Sequence, residues 1–540
     1  MSSTPADGSD EAAAARSGSR LARSAGVIGL ATMSSRVLGL VREQVLAYFF
    51  GAGNAMDAFI IAFRIPNLLR DLFAEGAMSA AFVPAFTRQL TLNGKPRAWQ
   101  LGNHVTNGLL LVTIPLVILG ILFAEPLVRL YAADYAAEPG KLEDTILLTR
   151  IMLPFLTVVA VASVLMGMLN ALRHFFVPAL APAMFNVGTI LCVVTLGGVM
   201  VGLGLPPIAA AAFGTLVGGL GQVVLQWPLL RREGFRYQRG LDFSDPDLRR
   251  VAVLMGPAIV GLAAVQVNLF VNSVLATGEG TGAVSWLSYA FRLMYLPIGL
   301  FGVSIATAAI PGISAHAARG DFAEMRRAVS RGLRMMLMLN VPATFGLVAL
   351  AAPIVTLVFE RGQFTASDTA ATAAALVCYA PGLIGYSAVK LVSPAFYALQ
   401  DSRTPVIVSV LTMVLNVVLN VALVNVMGYR GLALGTAMAA LFNAGVLFWW
   451  LGVRLNGLDG PRTATAVAKI VAASAAMALA AWAVEGAVQR ALPGGGTLTR
   501  AGSVGSAIAA GFVVLAACAH LLRIDEFAEA RRLVLARFRR

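Results

Sequence analysis

The sequence predicts an all-α polytopic membrane protein of about fourteen transmembrane helices. They form two parallel six-helix repeats around a central cationic cavity, followed by two C-terminal helices. Three observations carry this prediction. The first is composition: of 540 residues, 58% are hydrophobic and 13% charged, and the mean hydropathy is +0.79. Soluble domains hold about 45–50% apolar and about 25% charged residues. The second is a run of apolar stretches long enough for helices of about 20 residues. The third is an internal repeat. Ala62-Phe63-Arg64 recurs as Ala290-Phe291-Arg292, Leu72-Phe73 as Leu300-Phe301 and Ala80-Ala81 as Ala308-Ala309, each 228 positions on. Pro154 recurs as Pro381, Ala171-Leu172 as Ala398-Leu399 and Pro178 as Pro405, each 227 on. An even number of spans per repeat keeps both copies in one orientation, related by an axis along the membrane normal, which is a transporter architecture.

Taken in order, residues 1–24 are rich in Ala, Ser and Gly and predict a flexible cytoplasmic tail without a cleavable signal. The first lobe, 25–232, holds spans near 26–50, 55–87, 103–123, 146–171, 178–202 and 206–230. A cytoplasmic linker, 233–247, leads to the second lobe, 248–455, with spans near 249–276, 284–315, 332–358, 370–398, 405–427 and 430–453. Two extra helices follow within 456–522, near 464–485 and 501–522, and 523–540 predicts a basic amphipathic tail. Pro66, Pro84, Pro154, Pro182, Pro257, Pro297, Pro342 and Pro381 lie in or near spans, where neighbours or water must satisfy the freed carbonyl.

The formal charge of +14 does not point to nucleic acid, because the cations gather in alternate loops. Arg88, Lys95 and Arg97, then Arg173, then Arg231, Arg232, Arg236 and Arg239, then Arg319, Arg326 and Arg327, then Arg403, then Arg454 and Arg462 share one side. The acid-rich segment Glu125 to Asp144 falls on the other. The positive-inside rule places the basic side and both termini in the cytoplasm. Cys192, Cys378 and Cys518 sit in separate apolar runs, with neither metal nor disulfide spacing.

The chemistry concentrates in residues 34–84, which are apolar yet carry Arg36, Arg42, Glu43, Asp57, Arg64, Arg70, Asp71 and Glu75. A charge near the bilayer centre costs about 2.5–3.5 kcal/mol on insertion scales, so several together mark a pathway for something polar. Arg36 and Arg42 are six residues apart, about 240° around a helix, and need a wide cavity or a charge partner. Arg64 and Arg70 repeat that spacing, with Pro66 between them as a bend that would bring both to one side. Ion pairing is the plain alternative, since four arginines face Glu43, Asp57, Asp71 and Glu75. The second lobe breaks that balance: Arg292 and Lys390 have no acid in their own spans. Arg offers a bidentate fork to phosphate and Lys a point charge, which suits an anion with a lipid tail or large polar head.

At these residues the chain resembles a known family. SSRVLGLVREQ, FGAGNAMDAF, PNLLRDLFAEGAMSAAFVPAF, GAVSWLSYAFRLMYLPIGLFGV, VFERGQFTASD and APGLIGYSAVKLVSPAFYALQDSRTP are similar to the MurJ/MviN lipid II flippases of the multidrug/oligosaccharidyl-lipid/polysaccharide exporter superfamily. The resemblance covers about residues 25–525 and implies fourteen helices, two lobes and a central cavity. It implies translocation of lipid II, an undecaprenyl-pyrophosphate-linked disaccharide pentapeptide, from the cytoplasmic to the outer leaflet of the bacterial inner membrane by alternating access. It implies a transporter rather than an enzyme, with cell-wall synthesis machinery as a candidate partner. By that resemblance Arg36, Arg42, Arg70, Arg292 and Lys390 bind substrate, Asp57 and Glu75 match the family's acids, and the last two helices form a prenyl-tail groove. The residues themselves add Arg64 to the substrate set, and they make Asp57, Glu75, Asp71 and Glu43 the candidate gate or ion pairs.

Two departures stand out. Phe291 stands where many relatives carry Asp before the eighth-helix Arg, and Asp71 where many carry a second basic residue. No cofactor is expected. A sodium ion, a proton or the membrane potential is the candidate energy source, with Asp57, Glu75, Gln266, Asn268 and Asn272 as candidate ion ligands, against a bland reading of helix–helix hydrogen bonds. An exporter of another lipid-linked saccharide and a drug/cation antiporter remain alternatives; the latter should show unpaired acids. A prenyl-phosphate glycosyltransferase would need clustered carboxylates, and a passive scaffold would gain little from intramembrane charge.

Overall fold

The computed structural model describes residues 29, 31, 33–72, 76–492, 496–528 and 531. The expectations for 1–24, for Glu75 and for most of 523–540 concern residues outside that set. The described residues form helices joined by short irregular links, with no strand among them, and their contacts divide the chain into two units. One holds the first helix and Asn54–Val267; the other holds Gly51–Gly53 and Asn268 onward.

The first unit runs α1 (33–50), α2 (Asn54–Arg70), α3 (Gly76–Leu122), α4 (Ala124–Ala132), a 3-10 turn (Ala133–Ala137), α5 (Lys141–Met152), α6 (Phe155–Ala171), α7 (Phe176–Gly202) and α8 (Ala209–Arg232). α9 (Pro246–Thr277) bridges the division. The second unit continues with α10 (Ala283–Pro297), a π turn (Ile298–Gly302), α11 (Val303–Ala318), α12 (Phe322–Ala349), α13 (Ala351–Phe359), α14 (Ala366–Tyr379), α15 (Gly382–Ala398), α16 (Arg403–Met427) and α17 (Tyr429–Arg454). Then come α18 (Gly460–Ala491) and α19 (Thr497–Leu521).

The sequence repeat is a repeat of elements. α4 and α13 are both 9 residues long and α6 and α15 both 17, each pair 227 positions apart. A π turn follows α2 at 71–72 and follows α10 at Ile298–Gly302. The chain leaves α6 through Arg173 at φ 63° and leaves α15 through Gln400 at φ 59°. A left-handed non-glycine residue is uncommon, so finding one at the same point of both copies marks common descent of the turn.

Among the described residues nine helices are long and apolar enough to cross a membrane, or ten if α14 and α15, bent by 43°, count as one span. Several expected spans contain a break in the helix, though α5 and α6 together still count as one crossing over Lys141–Ala171. Pro154 divides α5 from α6, and Pro381 divides α14 from α15, because proline cannot donate to the carbonyl a turn back. The acid-rich segment read as a loop is largely α4 and the start of α5; Glu125 and Arg129, one turn apart, pair at 2.9 Å. Gly94, at φ 75°, lets α3 turn between two helical stretches.

Each unit has its own apolar core. Phe82, Phe86, Leu101, Val105, Phe155 and Met168 join α3 to α6. Met325, Leu333, Leu391 and Phe396 join α12 to α15, with Ile313 of α11. α7 and α8 approach backbone to backbone: a Cβ on Gly188 would lie 2.4 Å from the Gly218 nitrogen. α18 packs on α12 and α19 through Met338, Val341, Ile470, Ala473, Met477 and Leu515.

The 233–247 linker is stitched onto α3. Asp245 accepts from Arg97 at 2.9 Å and lies 2.9 Å from His104, while Gln89 donates to Asp247 at 2.7 Å. Asn103 and Asn107 bond the linker backbone at Arg236, Gln238 and Gly240.

Candidate functional site

The sequence-predicted charges divide by burial. Arg36 is exposed on α1. Arg42 is buried, pairs with Glu43, and lays its guanidinium 4.8 Å from the centroid of Phe185 on α7. Adjacent residues on a helix point about 100° apart, so this pairing holds the fork against α1's own surface.

On α2, Asp57 and Arg64 are seven residues apart and share a face. Asp57 is fully buried and accepts from Lys141 Nζ, at the start of α5, at 3.1 Å. The ammonium also stands 4.2 Å over the ring of Tyr135 in the 3-10 turn. Burial pushes the Tyr135 hydroxyl well above its usual range; the Asp57 charge adds to this and the Arg64 charge opposes it. Burial raises Tyr131 as well, again opposed by Arg64. Arg64 thus faces the α4–α5 side with Asp57. Arg70 instead pairs with Asp71 at 2.9 Å, and Asp71 also accepts from Asn67 at 3.3 Å and from Gln266 on α9 at 3.2 Å. α2 runs on through Pro66, and Arg64 and Arg70 have different surroundings along it.

In the second unit Arg292 is exposed on α10 and Lys390 half-buried on α15. Arg292 makes contacts of its own, although its span holds no acid. Phe291 sits among three tyrosines, with ring centroids 5.8 Å from Tyr295, 5.5 Å from Tyr379 and 6.2 Å from Tyr386. Among the candidate ion ligands, Gln266 donates to Asp71. Asn272 belongs to a hydrogen-bonded set with Asn416 at 3.2 Å and Asn420 at 2.6 Å on α16.

Sequence reading missed Lys141, which lies in the charge-rich run KLEDTILLTR and resembles an ordinary interfacial lysine. It also missed the buried pair of Arg334 on α12 with Glu526 at 2.6 Å, both side chains 7% exposed, which pins the start of the C-terminal tail. Neither partner's spacing marks it, since they are 192 residues apart.

An internally duplicated set of apolar helices, with Arg64 and Arg70 on α2 and Arg292 at the repeated motif on α10, defines a polytopic transporter of the multidrug and lipid exporter type. Comparison with known proteins narrows the class: the family profile described as lipid II flippase MurJ matches residues 46–498, and the chain belongs to that family. A probable lipid II flippase MurJ of Vibrio cholerae serotype O1 is 35% identical over 515 residues, covering 92% of this chain and 96% of the relative. The lipid II flippase MurJ of Burkholderia cenocepacia is 33% identical over 434 residues, covering 80% of this chain and 83% of the relative. Among solved structures, an inward closed lipid II flippase MurJ matches with TM-score 0.76 at 25% identity, covering 92% of this chain and 99% of that one. An inward-facing transporter of the MATE family shares the fold alone, with TM-score 0.63 at 18% identity over 80% of this chain and 94% of its own length.

Proposed function

We propose that this protein flips lipid II across the bacterial inner membrane, from the cytoplasmic to the outer leaflet, by alternating access. The observation that carries the reading is membership of the flippase family across residues 46–498, which spans both units. The arginines give it a chemistry. Arg36, Arg70, Arg292 and Lys390 are exposed or half-buried, so their cationic ends remain within reach of a pyrophosphate. Arg forks take phosphate oxygens in pairs, and Lys adds a point charge. Arg42 and Glu43, like Arg70 and Asp71, form pairs that an anionic headgroup can compete for. Asp57 and Arg64 act together with Lys141 and Tyr135 as the fixed joint between α2 and α5 rather than as first contacts for cargo. Exposed apolar side chains on the last two helices, Leu479, Phe512 and Val513 among them, offer a surface for the prenyl tail.

The test is complementation of a cell depleted of its own flippase, with lipid II exposure read by an outside-acting toxin and expression checked by blot. Arg36→Ala, Arg70→Ala and Arg292→Ala are each expected to abolish growth while leaving folded protein in the membrane. Full growth from all three overturns the pyrophosphate grip. Failure of the unaltered chain to restore toxin-accessible lipid II overturns the flipping reading.

A further inference from the structure

The second unit contains a cavity of about 430 Å³ bounded by the end of α12, α13, α14 and α18. That size falls within the roughly 300–1,000 Å³ of small-ligand sites. Most of its wall is small and apolar, as at Ala352, Pro353 and Val377. The exceptions are Thr356 on α13 and a stripe on α18, where Trp482, Glu485 and Gln489 are three and four residues apart and therefore on one face. Glu485 is only 7% exposed, and its hydrogen-bond partner is the uncharged amide of Gln489. Among the described residues no ion pair joins it to a cation, although the Arg490 guanidinium lies close by, beside Gly486.

A carboxylate stripped of water in such a wall is unfavourable unless it meets a cation or donor. Gln489 satisfies one carboxylate oxygen, and an occupant that brings positive charge with N–H donors would satisfy the other. Glu485 lies six residues before the end of α18, about 9 Å along the axis. That depth is where lipid headgroups begin, since a hydrocarbon core of about 30 Å sits inside a bilayer of about 40–45 Å. Trp482 is 60% exposed, placed as an interfacial aromatic and able to face a cation with its ring.

We propose that this cavity binds the primary-amine headgroup of a phospholipid, with the ammonium donating to Glu485 and to the Gln489 side-chain carbonyl and the acyl chains lying outward along α18. A primary ammonium carries three N–H donors; a quaternary choline has none, and a glycerol headgroup has no positive charge. The site requires only a membrane, so it stands independently of the flipping reading, and its test reads binding rather than transport.

The experiment is native mass spectrometry of the purified full chain with phosphatidylethanolamine, phosphatidylcholine and phosphatidylglycerol of matched acyl chains. The unaltered protein should retain phosphatidylethanolamine about tenfold better than either competitor, a difference of about 1.4 kcal/mol. Glu485→Gln keeps the shape and removes the charge, and should abolish that preference. Ala352→Phe, at an exposed position, fills the cavity while leaving the carboxylate, and should abolish it too. Melting curves verify that both variants fold. Equal retention of all three lipids by the unaltered protein overturns the proposal. So does a preference undiminished in Glu485→Gln, and so does phosphatidylcholine held as tightly as phosphatidylethanolamine, which would mean that the N–H donors play no part.

Discussion

The two units fold the same sequence of helices but join them with different chemistry. In the first, α2 meets α5 through a sealed ion pair, Asp57 with Lys141 at 3.1 Å, backed by Tyr135. In the second, the corresponding joint between α10 and α14 uses a neutral donor, with Trp286 Nε1 giving a hydrogen bond to Asp368 at 3.0 Å. An aromatic group surrounds it, in which Tyr289 packs 4.8 Å from Phe359 and 5.6 Å from Phe364. The contrast recurs where the repeated Ala-Phe-Arg motif sits. Phe63 stacks among Phe59, Phe155 and Phe185, while Phe291 packs among tyrosines. A duplicated backbone thus fixes where helices break and turn and leaves each copy free to choose how its polar joints are satisfied. One copy became ion-paired and the other aromatic.

Breaking the Asp57–Lys141 joint should have the largest effect. Asp57→Asn leaves a buried ammonium without its counter-charge, and removing one partner of a buried pair costs about 3–5 kcal/mol. Thermal unfolding of the purified protein should show this as a large loss of stability. Replacing both, Asp57→Leu with Lys141→Met, should recover most of it, because a packed apolar pair is often neutral or better. A double variant no better than the single one would show that the joint does more than balance charge.

Phe291→Asp sharpens the comparison from the other unit by placing an acid next to Arg292. The position is half-buried beside the exposed Arg292, so the protein should still fold. The lost ring contacts should cost about 1–2 kcal/mol, since an aromatic pair contributes about 0.5–1.5 kcal/mol beyond its buried area. Melting curves and membrane yield measure it, and an absence of folded protein would show that the tyrosine cluster holds α10 and α14 together.

The smallest effect expected is in the linker. Burial opposes ionisation of Asp245, but the Asp247 backbone N–H, His104 and Arg97 outweigh it and hold the carboxyl below its ordinary value. With the folded value depressed, this group's contribution is complete above the ordinary value near 3.9 and is lost as pH falls through the lower folded value. Glu233, lowered by hydrogen bonds from Lys95 and His174, behaves alike. Acid titration followed by Trp99 fluorescence, close to Phe235, should show loosening below about pH 4, and Asp245→Asn should flatten it.

Much of this was legible in the sequence. The repeat at 227–228 positions located both copies, and Pro154 and Pro381 marked paired breaks, because proline acts on its own backbone. The Arg-rich second helix was legible for the same reason: charge in an apolar run is a local anomaly. The partners were not legible. Lys141 lies 84 residues from Asp57, and Glu526 lies 192 from Arg334. By itself the sequence determined the membrane class, the duplication, the break points and the supply of cations, since these follow from composition, periodicity and backbone sterics. Tertiary structure alone decided which charges are sealed in pairs and which stay open, and it alone placed Glu485 in a cavity wall. Burial and ion pairing depend on what other helices bring within a few ångströms, and chain separation carries no record of that.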